Sequence, residues 1–288
     1  MKRRDFLKTG ALAAAATPVA MPAVAQSQPE VKWRLTSSFP KSLDTIFGTA
    51  QHFAKLVSDA TDGKFQIQVF APGEIVPGLQ ALDAVSSGTV ECAHSPTYFY
   101  IGKDPTLGLG TGIPFGLNAR QQHSWWYFGG GEQIVNGVLD RFNAYSIPCG
   151  NSGCQMGGFF RNELKGIEDL KGLKFRIGGM GGAVLAKLGV VPTQIAPGDV
   201  YPALERGTID AIELLAPVND QPLGFHRYAP IYHMPGFNKP NGAAEALISL
   251  SAFEKLPPDL RAIVESACAL EHTAVSYTHL TLPTNREV

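Results

Sequence analysis

Cysteine is scarce in this chain: Cys92, Cys149, Cys154 and Cys268 are all there are. Their spacing fits no zinc motif, which excludes a knuckle or ribbon held by thiolates. Outside the cytoplasm a Cys149–Cys154 bridge is one expectation and buried free thiols the other. The seven histidines contain no H-x-x-x-H pair, and no G-x-S-x-G is present, so two common hydrolase signatures are missing. Charge of one sign is missing too. Twenty-four Lys and Arg face 25 Asp and Glu, for a net charge of −1. Nucleic acid and anionic membrane surfaces call for a basic face, so neither is expected as a partner. Beyond the N-terminal segment no apolar run is long enough to span a bilayer. Glycine (31) and proline (21) are plentiful, which argues for many turns and short elements rather than a helical bundle.

The first 25 residues read as an export signal. Lys2, Arg3 and Arg4 form a basic start, residues 10–20 are uncharged, and Ala23-Val24-Ala25 is an A-x-A cleavage site. Arg3-Arg4-Asp5-Phe6-Leu7-Lys8 resembles a twin-arginine signal, and a plain secretory signal is the alternative. Either route places the mature chain outside the cytoplasm. At the other end, residues 276–284 resemble translated adapter sequence. Residues 276–288 are therefore read as a non-native tail, with a natural chain expected to continue differently. Before them, residues 260–273 read as an amphipathic helix carrying Ile263, Val264, Ala267 and Leu270 on one face.

Between these ends the chain alternates strand and helix patterns. Residues 31–35 form a strand, 43–61 a helix with Ile46, Ala50, Phe53, Ala54 and Val57 inward, and 65–69 a second strand. Ala71-Pro72-Gly73-Glu74-Ile75-Val76-Pro77 returns as Ala196-Pro197-Gly198-Asp199-Val200-Tyr201-Pro202. Each copy leads through a helix to a strand, the second helix appearing six residues shorter. Two lobes built from related βαβ units produce such an echo, as does convergence on common punctuation. Residues 122–139 read as helical with a Gly129-Gly130-Gly131 interruption. Residues 145–160 are expected as a long strand passing between lobes, with 241–250 returning. The fold class is thus α/β, two βαβ lobes with crossing hinge strands and a central cleft. Lobe I is assigned 26–152 plus 241–275, and lobe II 153–240.

The second lobe carries the chemistry. Residues 173–177 read as a strand with Arg176 in it, residues 178–182 as a glycine-rich break, and 208–214 as a last strand carrying Glu213. The pattern argues for a parallel sheet, in which ligands sit outside the carboxyl ends of strands. Both Arg176 and Glu213 fall near such ends. A guanidinium matches a carboxylate bidentately, although a structural ion pair is the alternative for either residue. If both line one cleft, Glu213 repels an anionic ligand unless a cation intervenes. Oxygen donors suit Na⁺, Ca²⁺ or Mg²⁺. The glycine break does not complete a dinucleotide pattern, because Val184 stands where Gly or Ala is needed. Its helix start offers backbone N–H groups to a carboxylate instead. Tyr98 and Tyr100 are candidate pocket aromatics, and Phe99 a core residue.

Five segments, in order, resemble the solute-binding subunit of tripartite ATP-independent periplasmic (TRAP) transporters: residues 93–105, Pro114-Phe115-Gly116, 169–176, 207–213 and 252–260. Residues 151–160 most resemble the subgroup that binds 2-oxo acids with a metal cation. The resemblance implies a bilobed periplasmic receptor, not an enzyme. It takes a small organic acid, pyruvate being favoured, and delivers it to membrane subunits of the transporter. Arg176 would bind the ligand carboxylate. Gln155, Glu213 and Leu214 would meet the cation, with no catalytic cofactor. Leu214 departs from the tryptophan the subgroup often has there. An exported enzyme, or a receptor for a different carboxylate, is the other reading.

Overall fold

The computed structural model describes residues 30–281, with side chains through Ala274. The export signal lies outside the described residues. So does the end of the adapter-like tail, of which residues 276–281 are seen as helical backbone.

In chain order the main elements are β1 (Val31–Ser37), α1 (Asp44–Asp59), β2 (Phe65–Phe70), α2 (Ala81–Ser86), β3 (Cys92–Ser95), α3 (Ala119–Phe128), α4 (Gly131–Leu139), β4 (Ala144–Asn151) and β5 (Gly158–Phe160). Then come β6 (Lys174–Arg176), α5 (Gly179–Ala186), β7 (Val191–Thr193), α6 (Val200–Glu205), β8 (Ala211–Ile212), β9 (Ile231–His233), β10 (Ala243–Ser249) and α7 (Pro258–Thr281). They build two five-stranded sheets, ordered β2-β1-β3-β10-β4 and β7-β6-β8-β5-β9.

The two sheets share one plan. In each, the first three strands are parallel, with the earliest in the middle. The fourth strand runs antiparallel to both its neighbours. The sheets are therefore mixed, not purely parallel as the βαβ pattern suggests. A strand that arrives from the other sheet needs no helical crossover and is free to pair antiparallel. Segment 152–157 leads from the edge strand β4 to the fourth strand β5 of the other sheet, and segment 234–242 leads from edge strand β9 back to fourth strand β10. The expected long strand over 145–160 is thus two strands broken at the crossing.

The sequence echo sits between β2 and β3 in one sheet and between β7 and β8 in the other. Its two helices, α2 and α6, are both six residues long. A short 3₁₀ segment precedes each helix (Gly78–Gln80 and Pro197–Asp199), so the extra residues of the first copy form the turn ahead of that segment, not a longer helix.

Alternation explains the strands of the first lobe: Trp33 and Leu35 of β1, with Phe65 and Ile67 of β2, point into the core while Gln66 and Gln68 face out. Trp33 and Phe65 meet edge to face at 4.9 Å. Helix α1 lays Ala50, Phe53, Ala54 and Val57 on that core at helical spacing. Helix α7 covers it with Leu260, Val264, Ala267 and Cys268. The face expected for α7 is rotated: Ile263 is half-buried and Leu270 is exposed. The core offers its cover to the i, i+4, i+7, i+8 set beginning at Leu260. All four cysteines are free. Cys149 is buried and Cys154 exposed.

Candidate functional site

Arg176 ends β6, and its side chain is fully buried. A guanidinium in such a place must spend its donors on protein acceptors or leave them for a ligand. Nε donates to the Ile195 carbonyl at 3.1 Å, and Nη1 donates to the main-chain carbonyl of Glu213. Nη2 has no partner. Among the described residues no carboxylate stands within salt-bridge distance of it, which removes the structural ion pair as an explanation.

Glu213 follows β8 directly, tied by its N–H to the Arg176 carbonyl at 2.9 Å. Its carboxylate is fully buried. Oε2 accepts from Lys239 Nζ at 3.1 Å and Oε1 has no partner. Lys239 lies on the returning segment 234–242 and is itself buried. Its ammonium stands 4.3 Å from the centre of the Tyr98 ring, within cation–π range. Its carbonyl accepts the Gln155 N–H at 2.9 Å. Gln155, on the outgoing segment 152–157, donates Nε2 to Ser152 Oγ at 3.0 Å and leaves Oε1 unpartnered. Gly242 makes this possible, since a Cβ there would lie 2.2 Å from Ser152 Oγ and 2.6 Å from Gln155 Nε2.

Tyr98 reaches the site from the turn after β3 in the first sheet. It leans on the glycine-rich break: a Cβ at Gly178 would meet Tyr98 Cε2 at 2.6 Å, and one at Gly179, which has φ +67°, would meet Cδ2 at 2.9 Å. The break is therefore where the two sheets' segments touch, and Gly179 begins helix α5 rather than preceding it. Tyr98, Gln155 and Leu214 line one cavity with Phe39, Ser152 and Gly242. Its free volume is about 20 Å³, room for roughly one water. Arg176, Glu213 and Lys239 do not line it; Glu213 precedes the lining residue Leu214 in the chain. Tyr100 does not join the group. Its hydroxyl accepts the Leu82 N–H at 3.3 Å and bonds Ser95 Oγ at 2.7 Å inside the first lobe's core. In a 3₁₀ turn, adjacent aromatics point in different directions, and only Tyr98 faces the crossing segments.

Three residues escaped the sequence reading. Lys239 adds a positive charge beside Glu213. Asp220 is buried, accepts the Leu215 N–H at 3.1 Å, and is pushed up to about 8 by burial first and the Glu213 charge second. Glu245 of β10 is buried among Thr97 and Thr111, at 3.0 Å from the Thr97 N–H and the Thr97 hydroxyl. The formal charges of Arg176, Lys239 and Glu213 sum to one positive charge, Lys239 bonding the Glu213 carboxylate and Arg176 its main-chain carbonyl. That favours an anion of one negative charge. The unpartnered oxygens of Glu213 and Gln155 are hard donors of the kind Na⁺, Ca²⁺ or Mg²⁺ takes. Among the described residues no cluster of three or more His, Cys, Asp or Glu could hold a metal by itself.

Residues 36–280 match the bacterial extracellular solute-binding proteins, family 7. The chain belongs to this family. A Nostoc sp. protein named monocarboxylate 2-oxoacid-binding periplasmic protein is 45% identical over 273 residues, covering 93% of this chain and 75% of that protein. A TRAP transporter solute-binding protein of Bordetella bronchiseptica, solved with copurified calcium and picolinate, superposes with a TM-score of 0.86 at 48% identity, covering 88% of this chain and 76% of that one. A second, from Pseudoalteromonas atlantica with sodium and pyruvate, gives 0.83 at 36% identity, covering 87% and 77%. The chain is a TRAP-type solute receptor with the bilobed α/β fold of these neighbours. The family's description and the relatives' names are those of receptors rather than enzymes. No helix among the described residues is long and apolar enough to cross a membrane.

Proposed function

We propose that this chain is a periplasmic receptor that closes on a small 2-oxo monocarboxylate, pyruvate in the simplest case, and delivers it to the membrane subunits of a TRAP transporter. Arg176 carries the reading. It is a fully buried guanidinium with no carboxylate partner and with Nη2 free, and a planar carboxylate is the group its geometry fits. Tyr98 and Gln155, which line the small cavity with Leu214, would form the wall of the ligand's pocket. The relatives' calcium with picolinate and sodium with pyruvate support a cation next to the acid. Here Glu213 Oε1 and Gln155 Oε1 would hold it, with the Leu214 carbonyl as a third donor. Residues 26–152 plus 241–275 and residues 153–240 are the two lobes that close. As a receptor the chain returns its ligand unchanged and needs no catalytic cofactor.

A thermal-shift panel of organic acids, with and without Ca²⁺ or Na⁺, tests the reading. We expect 2-oxo monocarboxylates to raise the midpoint most and to be recovered intact. A panel in which no carboxylate shifts the midpoint, or in which the acid is consumed, would overturn it.

A further inference from the structure

Helix α1 packs on the first sheet, yet its first turn reaches the second. Leu43, just ahead of the helix, and Ile46 are buried in one apolar cluster with Ile212 of β8 and with Leu214 and Leu215, the two residues that follow Glu213. Between Leu43 and Ile46, the Thr45 hydroxyl accepts a hydrogen bond from Asn219 Nδ2 at 2.6 Å. Asn219 and Asp220 end the one-turn helix Pro217–Asp220, and both are buried. Their N–H groups bond the Ala216 carbonyl at 2.9 Å each, and Asp220 Oδ1 accepts the Leu215 N–H at 3.1 Å. Residues 215–220 are thus a loop closed on itself, with one side chain reaching α1. The loop also holds the outgoing segment: the Leu215 carbonyl accepts the Met156 N–H at 3.0 Å, next to Gln155. The backbone that carries Glu213, Leu214 and Gln155, the donors assigned to the cation, is therefore fixed by this loop. Neither Thr45, Asn219 nor Asp220 lines the cavity. A group that orients donors without touching the ligand acts by position.

We propose that the turn Pro217–Asp220 couples closure of the two lobes to assembly of the cation's donors: Asn219 reads the seating of α1 through Thr45, and Asp220 is a positioning residue that fixes the backbone of Glu213 and Leu214. This rests on the carboxylate-receptor reading above. The test uses the full chain as wild type, Thr45→Val, Asp220→Ala and Asp220→Asn. Calorimetry gives the affinity for pyruvate in saturating Ca²⁺ and for Ca²⁺ in saturating pyruvate. Thermal midpoints of the chelator-stripped proteins report stability separately. Thr45 is not among the donors, and Thr45→Val keeps its shape while removing one hydrogen bond. We expect this variant to bind both pyruvate and Ca²⁺ about fivefold more weakly. We expect Asp220→Ala to weaken both at least tenfold. Asp220→Asn keeps an oxygen for the Leu215 N–H and should stay within about threefold of wild type. Wild-type affinities in Thr45→Val would overturn the coupling, whatever its midpoint. An Asp220→Asn variant as weak as Asp220→Ala would show that Asp220 acts by charge and not by position, and would overturn its role. If Asp220→Ala does not purify folded, Thr45→Val and Asp220→Asn still decide the matter. If wild type binds pyruvate and every variant matches it, this inference alone fails. If wild type binds no pyruvate with or without Ca²⁺, the ligand reading fails and the inference falls with it.

Discussion

The two sheets have the same strand plan, and each buries a carboxylate, but they treat it differently. Glu245, in the first sheet, meets the Thr97 N–H, the Thr97 hydroxyl and the Thr111 hydroxyl, and neither oxygen is left without a partner. Glu213, beside the second sheet, has one oxygen held by Lys239 and the other bare, and neighbouring Arg176 has a bare Nη2. Full satisfaction is what a structural buried group shows. Unfinished hydrogen bonding on two adjacent, fully buried charges is what a ligand completes. The frame was used twice, and only one copy was left open.

The largest expected effect on stability comes from breaking the pair at the open copy. Glu213→Ala leaves the Lys239 ammonium buried without its partner, which should cost about 3–5 kcal/mol of folding stability. Combining it with Lys239→Met should recover part of that loss, because removing both charges is milder than removing one. Denaturant midpoints measured at constant m would show this. Additive destabilisation in the double variant would mean the two side chains do not act as a pair.

The closed copy should respond to pH instead. Burial raises the Glu245 carboxyl from 4.5 to about 8. The folded chain therefore binds more protons than the unfolded chain between those values. Stability from this group is full below pH 4.5 and is lost as pH rises toward 8, at up to about 1.4 kcal/mol per pH unit. Buried His94, lowered to about 4 by burial, contributes the opposite slope between about 4 and 6.5, so the readout is the difference from the variant. Glu245→Gln should flatten that slope while leaving acid binding unchanged. A variant with the wild-type pH profile would show that Glu245 stays ionised in the fold.

A smaller effect separates the two tyrosines. Tyr100→Phe removes a hydroxyl that accepts the Leu82 N–H and bonds Ser95, and should cost about 1 kcal/mol of stability with ligand affinity unaltered. Weakened pyruvate binding in this variant would return Tyr100 to the site.

Arg176 was readable because an arginine between two apolar residues, Phe175 and Ile177, at a strand's end is conspicuous. The same signal stood at Glu245, inside Ala243-Ala244-Glu245-Ala246-Leu247-Ile248, but that stretch was weighed only as a returning strand. Lys239 had no such signal. Its surroundings, Pro235-Gly236-Phe237-Asn238-Lys239-Pro240-Asn241-Gly242, have the composition of a solvated turn. Only the passage of this segment between two sheets buries it. Much of the succession of strands and helices along the chain was legible from the alternation and the echo. The strands' mixed direction was not, because pairing across the crossing segments is a tertiary fact that a local period cannot express. The charges show how the two levels interact: the sequence offers Glu213 and Arg176 as a pair, and only the fold sets the Lys239 ammonium beside the Glu213 carboxylate.

The central claim is that the open copy is completed by a carboxylate on Arg176. Calorimetric titration of pyruvate into wild type and Arg176→Ala, both verified as folded, tests it most directly. We expect the variant to lose about 2–5 kcal/mol of binding free energy, as when half of a buried charge pair is removed. Affinity within error of wild type would contradict the account and return Arg176 to a purely structural role.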